Sequence, residues 1–531
     1  MRRIIREGKN CQGVYEARET GLLIDGSNYY SAFYHAAAKA RRYILLAGWQ
    51  FDSDVRLLRS EEEGDGAGLL SFLGSLCEGN KELEIYILAW DFSVLYSLDR
   101  EWFQRWLFNW SAKGRIHFRF DSNHAVGASH HQKFVVIDGA LAFAGGMDIC
   151  SHRWDDRRHL KENPLRKDSR GKPYEPYHDI QAYLIGPVAR KLSDLFALRW
   201  ESSGGGRLDL PHTSGEFDHK VDFSVPLTAD RVALSRTQAR TLPFLREPVQ
   251  EIRSIYLDAI DAAERLIYIE NQYFSSQAAY KALMDRMRAP GRSRLQIVII
   301  LPRKPHALIE EIALGLAQTK MLNSLSEEAQ KNGHSMGIYY STSPPGEGES
   351  EPTYIHAKLL LVDDRFLTVG SANITNRSMG LDTELNVSWE ADPGAQPELL
   401  RSVRRVRMSL LAEHTGASGY SELRRLAETA GLVEHLDVLA GNEEYQLKRH
   451  TVETYFAGAS KWLENLGPED LDIDPEKPVL EENVYEMISA DPSGLFSEGI
   501  QMLHEKKKLW ALIALAALVV LVLVLVFLWL R

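Results

Sequence analysis

Short apolar runs alternate with helix-length amphipathic segments along most of the chain, and the alternation occurs twice. In the first half, "NYYSAFYHAAAKA" places apolar residues at helical spacing. "YILLAGWQF", "LEIYILAW" and "RIHFRF" follow, each short, apolar and rich in β-branched or aromatic residues, as strands are. The second half keeps the order, with "VQEIRSIYLDAIDAAE" as the helix and "RLIYIENQYF", "RLQIVIILP" and "GIYYS" as the strands. Both halves close on a strand and a helix, "HDIQAYLIG" with "VARKLSDLFALRW" and "DTELNVSWE" with "ELLRSVRRVRMSLLAEH". Between them, the glycines and proline of "ESSGGGRLDLPHTSG" read as a linker. The pattern predicts an α/β fold duplicated along the chain, with halves at 1–203 and 221–416 joined by 204–220. Residues 417–508 read as helical and acidic, a cap and tether interrupted by "GPEDLDIDPEKP".

The last stretch has neither period. Leu509 to Leu530 carries no charge, and as a helix it would extend roughly 33 Å, enough to cross a bilayer core. Trp510 and Trp529 lie near its ends, and Lys506, Lys507 and Lys508 precede it. A single transmembrane helix is expected over 509–530, with the preceding lobes on the cytoplasmic side. "MRRIIREGKNCQG" is basic but has no apolar run behind it, so no secretory signal is expected. A net charge of −11 argues against nucleic acid as a partner, because that affinity comes from Lys and Arg neutralising phosphates. Cys11, Cys77 and Cys150 are too few and too scattered for a disulfide framework or a zinc knuckle.

Candidate chemistry is concentrated in "SHHQKFVVIDGALAFAGGMDIC" and "YIHAKLLLVDDRFLTVGSANIT". His131, Lys133, Asp138 and Gly145 stand 225 residues before His356, Lys358, Asp363 and Gly370. The separation from Arg42, at the first strand, to His131 is 89 residues, and from Arg265 to His356 it is 91, so the motifs fall at equivalent places in the two halves. Residues two apart on a strand share a face, which sets His131 beside Lys133 and His356 beside Lys358. An imidazole next to an ammonium repels a metal ion and suits an anion, with phosphate the natural candidate. A neutral imidazole can attack phosphorus or carry a proton near neutral pH. Asp138 and Asp363 lie an odd number of residues from their histidines, so a structural role at the strand end stands beside a catalytic one. His124, His130 and His178 crowd the first motif, but their spacing fits no standard zinc set. Trp154 reads equally as mouth lining or packing, and Asn271 and Gln272 equally as phosphate-facing or not.

Both motifs resemble the HKD signature of the phospholipase D superfamily. With "YHDIQAYLIGP", "IYIENQYF", "SANITNRSMGLDTELN" and "LLAEHTG" in order, the resemblance covers roughly Asn28 to Gly416 and is to the eukaryotic-type branch. It implies a bilobal fold of two pseudo-twofold-related α/β/α lobes with one active site at their interface, and no cofactor or metal. His131 is then the nucleophile, His356 the general acid and base, and Lys133 and Lys358 the phosphate ligands, with Asp138 and Asp363 completing the catalytic set. Gly146, Asp148, Ser371 and Asn373 would line or support the phosphate, and Glu384 and Asp179 would orient His131 and His356 from the opposite lobes. The implied substrate is a phospholipid at a membrane, and the implied reaction is hydrolysis to phosphatidate with transphosphatidylation. A cardiolipin synthase-like phosphatidyltransferase is the alternative, and an HKD nuclease is disfavoured by the acidity and the apolar C-terminal stretch. The sequence does not indicate protein partners.

Overall fold

The duplicated pattern becomes two sheets of matching topology. The computed structural model describes residues 2–59, 66–91, 114–125, 127–211, 217, 220–240, 248–304, 308–346, 348–392, 394–450 and 474–477. Among these residues there are one eight-stranded and one ten-stranded sheet, and a two-stranded one that pairs Tyr354–Ile355 with Tyr177–His178. The first is built around Tyr43–Gly48, Glu84–Trp90 and Ile116–Asp121 in parallel, with Lys133–Ile137, Leu141–Gly145 and Ile180–Ile185 continuing it antiparallel. The second repeats the scheme with Leu266–Asn271, Gln296–Ile300 and Ser335–Ser341, then Lys358–Val362, Phe366–Gly370 and Glu384–Glu390.

Both faces of these strands are covered, which is why the strands read as continuous apolar runs. On Lys133–Ile137, Phe134 and Val136 enter a central cluster shared by the two sheets, while Val135 and Ile137 face an outer one. Leu359 and Leu361 match the first pair, and Leu360 and Val362 face the outer cluster of the second sheet. Helices Pro187–Trp200 and Pro397–Thr415 fill the centre through Val188, Leu192 and Phe196 and through Leu399, Val403, Val406 and Leu410. The central layer thus fixes one lobe against the other, and with it the place where the two motifs meet.

The sheets do not divide where the halves of the sequence divide. Gly13–Glu16, from the N-terminal region, pairs with Arg231–Gln238 in the second sheet, while Val225–Leu227, from beyond the linker, pairs with Glu19–Ile24 at the edge of the first. Each lobe therefore takes an edge strand from the other half of the chain. Past the second lobe, Tyr420–Ala427 and Leu432–Ala440 are helices, as the acidic region predicts. It does not stay helical: Leu447–Arg449 pairs antiparallel with Ser335–Ser341. Asp474 accepts backbone N–H bonds from Asn376 and Arg377 at 3.0 and 2.8 Å and the Ser275 hydroxyl at 2.6 Å, which seats this short stretch on the second lobe. Among the described residues no helix is long and apolar enough to cross a membrane. The expected span over 509–530, like most of 451–508 and part of the linker, lies outside them.

Candidate active site

Each motif histidine lies just before its strand, where the chain crosses towards the other lobe. The His131 N–H donates to the Thr383 carbonyl at 2.9 Å, and the His356 N–H to the His178 carbonyl at 2.8 Å. The next residue after each acceptor supplies the carboxylate. Nδ1 of His131 is 3.0 Å from Oε1 of Glu384, and Nδ1 of His356 is 2.6 Å from Oδ2 of Asp179. Every imidazole is therefore held by the opposite half of the chain. A carboxylate at Nδ1 fixes the proton there and leaves the Nε2 lone pair for chemistry. The histidine side chains keep 14% and 10% of their exposure while both carboxylates are sealed, so substrate can reach the imidazoles but water cannot reach their supports.

The two halves of the site are not electrostatically equal. Burial pushes Glu384 up, but the hydrogen-bonded His131 and the hydroxyls of Ser371 and Ser378 hold it below the usual carboxylate range. Ser371 stands where Gly146 stands in the first motif. Gly146 offers no hydroxyl, and a Cβ there would lie 2.3 Å from Oδ1 of Asp179. With fewer donors, Asp179 is pushed up to about 7 by burial, against the pull of Lys358. Burial and then the Lys358 charge drive His356 well below the ordinary histidine value. Environments that separate paired titratable groups in this way mark acid–base sites.

Lys133 reaches the His131 carbonyl at 3.2 Å and Asp148 at 3.4 Å, and its ammonium is 5.6 Å from the Trp49 ring centroid. Asp148 also accepts the Trp49 N–H at 2.8 Å, so it positions the lysine. Lys358 bonds the His356 carbonyl and, at 3.1 Å, Oε1 of Gln272. Burial, with Lys133 adding to it, lowers Lys358 to about 7. Asn373 Nδ2 shares the same Gln272 oxygen at 3.3 Å, while its buried Oδ1 has no hydrogen bond. The charges of Lys133 and His131 act on His356, and that of Lys133 acts on Lys358, so the two half-sites lie close enough to work as one.

Asp138 and Asp363 are elsewhere, which corrects their inclusion in the catalytic set. Both adopt positive φ, 51° and 55°, in the tight turns that follow their strands. Asp138 accepts the N–H groups of Arg41, Arg42 and Tyr43 at 2.7, 2.8 and 2.9 Å, and Asp363 those of Glu264, Arg265 and Leu266 at 2.8, 2.7 and 2.8 Å. Seven residues at roughly 3.3 Å each separate them from the histidines, so they anchor the far end of the motif strand. Asn271 is structural too, accepting the Ile374 N–H at 3.1 Å, and Trp154 is packed in the outer cluster of the first lobe. His130 lies 3.2 Å from Asp121 and edge-on to His124, away from His178. Sequence reasoning missed Trp49, edge-on to His131 at 5.3 Å, and Tyr177, whose ring is 5.4 Å from His356. Trp49 follows the strand equivalent to the one before Gln272, a correspondence that extending the repeat frame reveals.

This geometry has relatives. A family model described as "Phospholipase D" matches residues 36–290, and one described as "Cardiolipin synthase, PLD-like domain" matches 256–404. Phospholipase D alpha 4 of Arabidopsis thaliana is 23% identical over 78% of this chain and 66% of its own length. Phospholipase D1 of Saccharomyces cerevisiae is 25% identical over 67% and 26%. The matches thus span less than two thirds of the length of these curated relatives. Among solved structures, a phosphatidylserine synthase of Haemophilus influenzae Rd KW20 aligns over 81% of this chain and 94% of its own, with 14% identity and a TM-score of 0.49. Overlapping family matches over a duplicated frame, with a complete His–Lys pair in each half, make this chain a member of the phospholipase D superfamily.

Proposed function

We propose that the chain is a phospholipase D-type phosphodiesterase that hydrolyses phospholipids to phosphatidate and a free headgroup. The observation that carries this is the crossed pairing of His131 with Glu384 and of His356 with Asp179, which makes one two-histidine centre from two half-sites. Nε2 of His131 attacks phosphorus, the bond to the headgroup oxygen breaks, and His356 gives its proton to that oxygen. Firmly anionic Glu384 balances the charge that His131 gains as phosphohistidine. The incoming phosphodiester anion favours protonation of His356, which the apo site resists. Lys133 and Lys358 neutralise the equatorial oxygens as charge develops. Water then loses a proton to His356, attacks phosphorus and releases phosphatidate, restoring both histidines.

The uncharged stretch 509–530 supports a membrane-anchored enzyme, and the three lysines before it support lobes facing the cytoplasm. The second reading, a cardiolipin synthase-like phosphatidyltransferase, is favoured by the family match over 256–404 and uses the same intermediate with a lipid alcohol as acceptor. Defined phospholipid turned over with a primary alcohol should yield the phosphatidyl-alcohol at the expense of phosphatidate, and a tertiary alcohol should not be incorporated. Preferential use of phosphatidylglycerol over water selects the transferase. Good turnover with no alcohol ever captured would sink the phosphohistidine route.

A further inference from the structure

We propose that Asp25, His159, His178 and Glu413 form a structural zinc-class cation site that fastens the lobes together behind His356. Asp25 opens helix Asp25–Ala37, His178 lies in strand Tyr177–His178, His159 sits in the loop that joins Leu141–Gly145 to that strand, and Glu413 comes from the second lobe on Pro397–Thr415. All four side chains are sealed from solvent, and one ligand atom from each lies within 4.8 Å of every other.

The spacing of these atoms fits a coordination shell. His159 Nε2 is 3.5 Å from Oδ2 of Asp25 and 3.1 Å from Oε1 of Glu413, and His178 Nδ1 is 2.9 Å from Oδ1 of Asp25 and 2.9 Å from the same Glu413 oxygen. Ligands about 2.0–2.1 Å from a tetrahedral zinc sit about 3.3 Å apart. Despite these distances, His178 Nδ1 has hydrogen-bond geometry to neither oxygen, and Asp25 Oδ2 makes no hydrogen bond at all. Buried polar atoms left in that condition point to a ligand.

The surroundings resemble a second coordination layer. The remaining nitrogen of His159, Nδ1, is 3.0 Å from Asp155, and that of His178, Nε2, is 3.0 Å from Glu270. Asp155 is itself held by Arg166 and the Tyr177 N–H, and Glu270 by the Tyr268 hydroxyl. Carboxylates behind metal-bound imidazoles fix their tautomer and raise their basicity. Charge balances as well. Asp25, Asp155, Glu270 and Glu413 bring four negative charges, Arg157 and Arg166 two positive, and one divalent cation completes the sum with every imidazole neutral. Two imidazole carboxylate-backed donors with two carboxylates are a zinc set rather than a calcium or magnesium one.

The alternative occupant is a pair of protons on the imidazoles, and metal content separates the two. The untagged full chain, purified in detergent, should carry about one equivalent of zinc by mass spectrometry after gel filtration. Exchange with cobalt(II) should give the strong visible absorption of four-coordinate cobalt. His159→Gln and Glu413→Gln should lose the zinc, while His124→Gln retains it. A wild-type chain that holds no zinc and gives no four-coordinate cobalt spectrum overturns the site, as does a folded His159→Gln that keeps its zinc. If the variants misfold, the wild-type stoichiometry and cobalt spectrum decide alone.

Discussion

Glu384 and Asp179 hold their histidines in the same way, yet one residue position separates their electrostatics. Ser371 supplies Glu384 with a hydroxyl donor, whereas its counterpart Gly146 supplies Asp179 only with space. Gly146→Ala puts a methyl on that carboxylate and should lower kcat at least tenfold, with the midpoint of thermal unfolding showing whether the fold persists. His131→Ala and His356→Ala should each reduce turnover by about a thousandfold or more with an unchanged circular dichroism spectrum. A phosphoryl adduct trapped in wild type should map to His131; an adduct found only on His356 reverses the roles. Lys358, lowered to about 7 by burial, makes a pH prediction whose sign is fixed. Below that value the ammonium is charged and binds phosphate; above it the neutral amine does not. The profile of kcat/KM should therefore fall above about pH 7, with the limb displaced upward in kcat because bound phosphate restores the charge. Lys358→Arg should remove the limb. The histidines and lysines were legible because the motif recurs in register, while the true work of Asp138 and Asp363 was hidden in backbone amides 95 to 99 residues away, for which no side-chain pattern exists.

At the scale of elements, the duplicated strand and helix order could be read directly, since period-two and helical patterns persist wherever a face is buried. What could not be read was the exchange of edges. Gly13–Glu16 and Val225–Leu227 are too short to show a period, and Pro226 argues for a turn unless the strand is an edge, where its missing N–H does no harm. Leu447–Arg449 is hidden for the same reason inside a helical, acidic region. The two aspartates make their prediction here. Removing three accepted N–H bonds at the entry to a central strand, as in Asp138→Ala or Asp363→Ala, should cost about 1–3 kcal/mol of stability in denaturant titration. Well below the unfolding transition, kcat should change far less than it does for the histidine variants. A thousandfold loss in a stable Asp138→Ala protein would return that residue to the chemistry.

For the whole molecule, the active site exists only when both lobes are present, because neither half of the chain carries a histidine with its own carboxylate. The membrane anchor proposed for 509–530 makes a separate prediction. A chain ending at Lys508 should hydrolyse short-chain monomeric phospholipid at an undiminished rate and lose most of its rate on bilayers, because an anchor raises local concentration without building the centre. Loss of both activities would make that stretch part of the fold. The exchanged edge strands also bear on synthesis. The first sheet stays open at one side until Val225–Leu227 has left the ribosome, and Gly13–Glu16, among the first residues made, must wait for Arg231–Gln238 to find its place. A nascent chain stalled between the lobes therefore exposes an unpaired edge of the first sheet, which makes it a client for chaperones. For the same reason, cutting the gene at the linker would give two fragments, each bearing a strand that belongs to the other.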